Sequence, residues 1–214
     1  LTIMVSSDKG LAGSYNMNVV KSTLEHFDAL EVPVDYITIG KKGRDLLLRR
    51  KVRVIAEFSE LNDPVKFLDI SPISRLAVND FLEGEYDQVY ISFTQFESMN
   101  TQHNEILKLL PLTVEDGDVE DKARATSSVF HYEPEQQVIL DEIIPRFTAT
   151  QVFQAALSSQ ASEHAARMIA MSNATDNANE LVNLLKLEFN KMRQQSITNE
   201  MLDIIGGTAV QSAN

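Results

Sequence analysis

The sequence predicts an α/β fold: a Rossmann-like, mostly parallel sheet with flanking helices, extended by a long C-terminal coiled-coil helix. Two observations carry this. Short apolar runs of strand length alternate with amphipathic runs of helix length over the first half of the chain, as expected of a parallel sheet wound by right-handed crossovers. Then Arg146 to Ile205 runs for 60 residues without a Gly or a Pro. An average helix has about 11–12 residues, and a continuous helix of this run is roughly 90 Å long at ~1.5 Å per residue. The expected organisation is a globular α/β domain over 1–134 and a helical region over 135–214, with the long helix at about 146–205.

The elements follow in order. Leu1 to Val5 (LTIMV) is too short for a helix and reads as a buried strand. Asp8 to Ser14 is a turn, with Ser14 as N-cap of a helix from Tyr15 to about Leu30. The apolar face of that helix is expected at Met17, Val20, Leu24, Phe27 and Leu30. A second strand spans Val34 to Ile39, a short basic helix about Lys42 to Arg50, and a third strand Val52 to Phe58. A third helix is expected at about Ser71 to Leu82, with Ile73, Leu76, Ala77 and Phe81 inward. Gln88 to Phe96 is a strong fourth strand. Thr101 to Leu110 has helix-like content, but folding back on the fourth strand is the preferred reading. Glu115 to Ser128 is rich in acids and reads as a solvated loop. Gln136 to Ile144 is expected as a separate helix broken at Pro145, and Gly206-Gly207 as the stop of the long one.

Composition narrows the function. The 214 residues include 43% hydrophobic side chains and carry a net charge of −12, with a pI of about 4.7. Nucleic-acid binding needs a basic face, so that class is disfavoured. The absence of Cys excludes disulfides and thiolate chemistry. No apolar run approaches the ~20 residues of a membrane span, so no direct membrane insertion is expected. The chain starts at Leu1, inside an apolar run and without an initiator Met, which suggests a natural start further upstream.

No catalytic constellation emerges. Gly10-x-x-Gly13 sits where a dinucleotide-binding loop would sit, but G-x-G-x-x-G is absent, and Gly40-Lys41 stands where an acid would end the second strand. A tight strand-to-helix turn is the preferred reading. His26, His103, His131 and His164 show no metal-ligand spacing. Asp116-Gly117-Asp118 lacks the rest of a calcium loop. No cofactor, metal or catalytic residue is expected.

The long helix is more informative. Ala174, Ala178, Leu181, Leu185 and Met192 form a heptad seam, and Val182 and Phe189 a second stripe beside it. Further along, the same register reaches the polar Glu188, Gln195 and Asn199. Such a seam demands a partner helix that is not in this sequence.

Four stretches are recognisable. Ser7-Asp8-Lys9-Gly10-Leu11-Ala12-Gly13 resembles the S-D-K/R-G-L-C/A-G signature of the gamma subunit of rotary F-type ATP synthases. Ser162-Glu163-His164-Ala165-Ala166-Arg167-Met168 resembles that family's S-E-H-A-A-R-M. Asn173 to Ala178 is similar to its N-A-T-x-N-A, and Arg193 to Glu200 to its R-Q-x-x-I-T-x-E. The usual Cys of the first motif is Ala12 here.

The resemblance implies a central rotor stalk rather than an enzyme. Its implied partners are the alpha and beta subunits of a catalytic ring, the epsilon subunit, the c ring and the family's own N-terminal helix, absent from this sequence. By motif match, Arg193, Gln194, Thr198 and Glu200 would touch the beta subunits, and Glu163 and Arg167 would lie at the shaft base. Tyr132-Glu133-Pro134 resembles the family's Y-E-P foot, which with Phe130 would face the c ring and epsilon. The implied location is peripheral, on the cytoplasmic face of a bacterial plasma membrane, with the mitochondrial inner membrane or the thylakoid as alternatives. A Rossmann-like nucleotide-binding enzyme or sensor with a dimerising helix is the competing reading.

Overall fold

A computed structural model describes residues 1–112 and 136–211, with side chains over 1–112 and 142–205. It divides into two units, Leu1–Met168 and Ile169–Asn214.

In the first unit, strands β1 (Thr2–Val5), β2 (Tyr36–Ile39), β3 (Val54–Phe58), β4 (Val89–Phe96) and β5 (Gln102–Leu110) form one sheet of order β3-β2-β1-β4-β5. β1 pairs in parallel with β2 and β4, and β2 with β3, whereas β5 folds back antiparallel on β4. The preferred strand reading of 101–110 is therefore right. The strands begin one or two residues later than expected at Val34, Val52 and Gln88. Val34 and Val52 instead pack against the rim of a core cluster.

β1 shows why the sheet needs helices on both faces. Ile3 and Val5 belong to one core cluster and Met4 to the other, following the two-residue side-chain period of a strand. Helices α1 (Tyr15–Leu30) and α2 (Lys41–Arg49) bury Val19, Val20, Leu24 and Leu47 around Met4 and Tyr36. Helix α3 (Phe67–Leu82) and the early part of α4 (Gln136–Gln211) cover the other face with Ile70, Ile73, Ala77, Val152, Ala155 and Ala156. The chain winds outward from β1 to β3 and then returns to β4 on the other side of β1. Right-handed crossovers on both legs place their helices on opposite faces.

Several expectations need correction. On α1, Met17 and Leu30 are about half exposed, and the buried face runs through Tyr15, Val19, Val20, Thr23, Leu24 and Phe27. Thr23 is tolerated inside because its hydroxyl meets Ser92 Oγ at 2.6 Å and donates to the Val19 carbonyl. Ser14 occupies the N-cap position of α1 but caps no backbone amide; its hydroxyl accepts from Asn18 Nδ2 at 3.0 Å. α3 starts at Phe67, before Ser71, because Asp69 accepts the Lys66 amide and closes a capping turn ahead of Pro72.

The expected break at Pro145 does not occur: α4 is one helix from Gln136 to Gln211. An interior Pro costs about 3 kcal/mol, but Ile144, Thr148, Ala149 and Val152 on both sides of it are drawn into the core. Burial there outweighs the lost hydrogen bond. Gly206-Gly207 do not stop the helix either. Each Gly weakens a helix by about 1 kcal/mol relative to Ala but, unlike Pro, keeps its backbone hydrogen bond and so does not forbid the helix.

The second unit consists of α4 from Ile169 onward. Its seam and the stripe beside it are exposed: Leu181, Leu185 and Met192 of the seam and Phe189 of the stripe keep 55–66% of their surface. Among the described residues, no helix is long and apolar enough to cross a membrane.

Candidate functional site at the base of the long helix

The first motif stretch builds a clasp at the carboxyl ends of β1, β2 and β3. Helix α2 begins there with backbone amides that have no partner inside the helix. Three of them are met in succession by Ser6 to Asp8. Lys41 N–H donates to Asp8 Oδ1 at 3.0 Å, Lys42 N–H to the Ser7 carbonyl at 3.0 Å, and Gly43 N–H to Ser6 Oγ at 3.0 Å. The other carboxylate oxygen of Asp8 accepts Glu60 N–H at 2.8 Å. Asp8 thus supplies the negative charge that the N-terminus of α2 favours. Gly40 adopts φ +95°, and a Cβ there would stand 2.3 Å from the Ser6 carbonyl oxygen, so close approach of two turns dictates this glycine.

The α4 stretch from Val152 to Ser162 lies across the same end of the sheet. Its inward stripe is apolar at Val152, Ala155 and Ala156, then turns to hydroxyls. Ser158 Oγ accepts Phe96 N–H at 2.9 Å and donates to Gln95 Oε1 at 3.0 Å. Ser162 donates to the Thr94 carbonyl at 3.2 Å. The Tyr15 hydroxyl donates to the Ser159 carbonyl at 3.1 Å and lies 2.7 Å from Ser159 Oγ. Burial raises the Tyr15 phenol pKa well above its ordinary value. On the flank of α4, Gln160 donates to Asp63 Oδ1 at 3.1 Å and accepts Val65 N–H at 3.2 Å. One turn further, His164 Nε2 lies 3.6 Å from Asp63 Oδ2, and Glu163 pairs with Arg167.

The long helix occupies the usual ligand position of such a sheet. In a doubly wound sheet, ligands sit outside the carboxyl ends of the strands where the strand order reverses, here between β1 and β4. That crevice is filled by Ser158, Ser159 and Ser162 of α4. The remaining cavity, walled by Ser6, Asp8, Tyr15, Gly40, Ser159 and Glu163, holds about 70 Å³, against the roughly 300–1,000 Å³ of small-molecule pockets. A larger groove of about 600 Å³ lies at the opposite strand ends, beside Leu1, Asp35 and Gln88. Among the described residues, no cluster of three or more His, Cys, Asp or Glu side chains could hold a metal ion.

A family model described as ATP synthase matches residues 1–210. The ATP synthase gamma chain of Dehalococcoides mccartyi strain CBDB1 is 41% identical over 208 residues, covering 96% of this chain and 70% of its own. The chain belongs to the ATP synthase gamma chain family. A gamma chain named as sodium ion specific, from Acetobacterium woodii, is 36% identical and covers 96% of this chain and 72% of its own. In fold, the chain resembles a chain of the Euglena gracilis mitochondrial ATP synthase structure of OSCP, F1 and c-ring, with a TM-score of 0.74 at 18% identity. That likeness covers 99% of this chain and 72% of the other.

Two family motifs that lie far apart in sequence therefore meet in space. The turn Ser7–Gly13 adjoins Tyr15, and the stretch opening at Ser162 contacts the end of β4. Glu163 and Arg167, the expected shaft-base residues, form a half-buried pair four residues apart on α4, with Glu163 facing the small cavity beside Asp8. Arg193, Gln194, Thr198 and Glu200 are exposed on the second unit. Thr198 donates to the Gln194 carbonyl one turn back at 2.9 Å. Arg193 and Glu200 make no ion pair among the described residues. Phe130, Tyr132, Glu133 and the acidic stretch 115–128 lie outside the described residues, as does His131.

Reading the sequence alone missed Ser158, Ser159 and Gln160, and the role of Tyr15. The signal was present: Ser159 and Ser162 continue the Val152/Ala155/Ala156 stripe at helical steps. It also missed that His164 faces Asp63 and that His103 Nε2 lies 3.1 Å from Glu97, because these pairs form between distant or folded-back segments.

Proposed function

We propose that the chain is the central rotor stalk subunit of an ATP synthase. By rotating, it couples proton flow through the membrane sector to ATP synthesis or hydrolysis in an alpha–beta catalytic ring. The observation that carries this reading is the 41% identity to a gamma chain over 96% of the sequence. The single helix α4, clamped at its base to a sheet and exposing an apolar seam further on, supports it. A shaft needs unbroken helix for stiffness and an anchor for torque. In this reading the chain carries no catalytic residues of its own. Its partners are the alpha and beta subunits, the epsilon subunit, the c ring and the family's N-terminal helix packed on the seam.

Arg193, Gln194, Thr198 and Glu200 contact the beta subunits, and Phe130, Tyr132 and Glu133 form the foot on the c ring and epsilon. Exposed charges there exchange partners cheaply as the shaft turns, each pair being worth about 1 kcal/mol or less. The complex is peripheral on the cytoplasmic face of a bacterial plasma membrane. The nucleotide-binding alternative draws no support from the site, whose crevice is occupied by α4 itself.

The test is reconstitution. The chain, in its full natural reading frame, is combined with matched alpha and beta subunits and the membrane sector. ATP-driven proton pumping that depends on the chain is the expected result. Failure to co-assemble with a matched ring, or sub-millimolar nucleotide binding by the chain alone in calorimetry, would overturn the reading.

A further inference from the structure

We propose that Ser158, Ser159 and Ser162, with Tyr15 and Gln160, form the clutch through which torque passes between the sheet and α4; this rests on the rotor reading above. The apolar part of the contact resists twisting less sharply than directional bonds do. Val152, Ala155 and Ala156 bury small side chains against the sheet, and burial of area has no preferred direction. Phe153 adds an edge-on contact with Phe67 on the flank, but none of these apolar contacts has the sharp angular dependence of a hydrogen bond.

Hydrogen bonds do have direction. A turn of about 20° moves a hydroxyl lying ~4–5 Å from the helix axis by roughly 1.6 Å, enough to break a bond of ordinary length. Here the bonds reach three separate elements. Ser158 and Ser162 hold Phe96, Gln95 and Thr94 at the end of β4. Ser159 holds Tyr15 at the start of α1. Gln160, on the flank of the helix, holds Asp63 and Val65 in the segment that leads into α3. Anchors on the facing side and on the flank oppose rotation in both senses.

Helix formation does not call for these residues. Ser is a poorer helix former than Ala, and Ser159 and Ser162 are fully buried where Ala would fit. Their hydroxyls go instead to Tyr15 of α1 and to the end of β4. The bonds fix the azimuth of α4 where rotation of one body must become rotation of the other.

The test uses the assembled complex carrying Ser158→Ala/Ser162→Ala, with Ser158→Thr/Ser162→Thr as rescue and Val152→Ala as control. Val152→Ala weakens the same contact through packing but removes no hydrogen bond. Each single serine variant keeps the other anchor and serves where the double variant assembles poorly. At matched assembly, the alanine variants are expected to lose proton pumping per ATP hydrolysed while hydrolysis continues, and the threonine variant to recover it. Val152→Ala is expected to lower the unfolding temperature and keep wild-type coupling. The clutch is overturned if the alanine variants couple as wild type does, or if Val152→Ala uncouples equally. Loss of coupling in the wild-type complex would instead overturn the rotor reading.

Discussion

The hydroxyls of Tyr15 and Ser159 meet at 2.7 Å although 144 residues separate them in sequence. Tyr15 also donates to the Ser159 carbonyl, so the first helix and the long one are joined by two bonds at a site closed to water. Removing either hydroxyl strands a buried partner, which costs about 1–3 kcal/mol. Tyr15→Phe and Ser159→Ala are each expected to destabilise the first unit by that amount. The double variant should cost less than the sum, because the two share one interaction. Denaturant titration followed by tyrosine fluorescence checks this, since the chain has 5 Tyr and no Trp. Strict additivity would show that the contact contributes nothing specific.

The same tyrosine sets an alkaline limit. Burial raises Tyr15 strongly, raises Tyr36 to about 12, and also dominates the rise of Tyr86 to about 12, where the bond to Asp35 adds to it. An unfolded tyrosine ionises near ~10. Above that pH the folded state holds protons that the unfolded state has released, so stability falls with rising pH. The contribution is fully present below about pH 10 and is lost as pH climbs through 10 toward the folded values. The unfolding midpoint should therefore hold level from neutral pH to about 9 and drop beyond 10. Tyr15→Phe should flatten that drop, read from melting temperatures across the range.

Glycines 40 and 84 both adopt positive φ, at +95° and +80°, but meet different surroundings. A Cβ at Gly40 collides with backbone and side-chain atoms of Ser6, whereas one at Gly84 meets nothing within 4 Å. Gly84→Ala should cost only the backbone strain, about 1 kcal/mol. Gly40→Ala adds overpacking of about 1–3 kcal/mol to its strain and displaces the turn that caps α2. Equal losses of stability in the two variants would contradict the close approach of Ser6 and Gly40.

Much of this fold was legible because it rests on local period. The run Leu1 to Val5 and the alternation of strand and helix gave the parallel sheet and its layers. What stayed hidden was decided at a distance. Pro145 reads locally as a break, yet packing of Ile144 and Val152 carries the helix through it. Met17 and Val19 are both apolar, and only contact with the sheet selects Val19 for the interior. Ser159 in a helix reads as a solvent-facing residue until Tyr15 is placed beside it. Asp8 reads as a turn residue and proves to be the anion that α2 requires.

Arg193 separates a contact role from a folding role. It is exposed on the second unit and makes no ion pair among the described residues. Surface substitutions away from caps and buried networks change stability by about 0.5 kcal/mol or less, so Arg193→Glu should leave the unfolding of the chain unchanged. If the residue touches the catalytic ring, reversing its charge turns attraction into repulsion at each position the shaft visits, and an opposite charge must be displaced to pass. Coupled ATP hydrolysis by the assembled complex should then fall, and more at low salt than at high, because screening weakens exposed charge contacts. Arg193→Gln removes attraction without adding repulsion and should lie between wild type and Arg193→Glu. Parallel measurement of melting and of ATPase in the complex reads both quantities. A fall in activity matched by an equal fall in stability would assign Arg193 to folding and remove it from the contact surface.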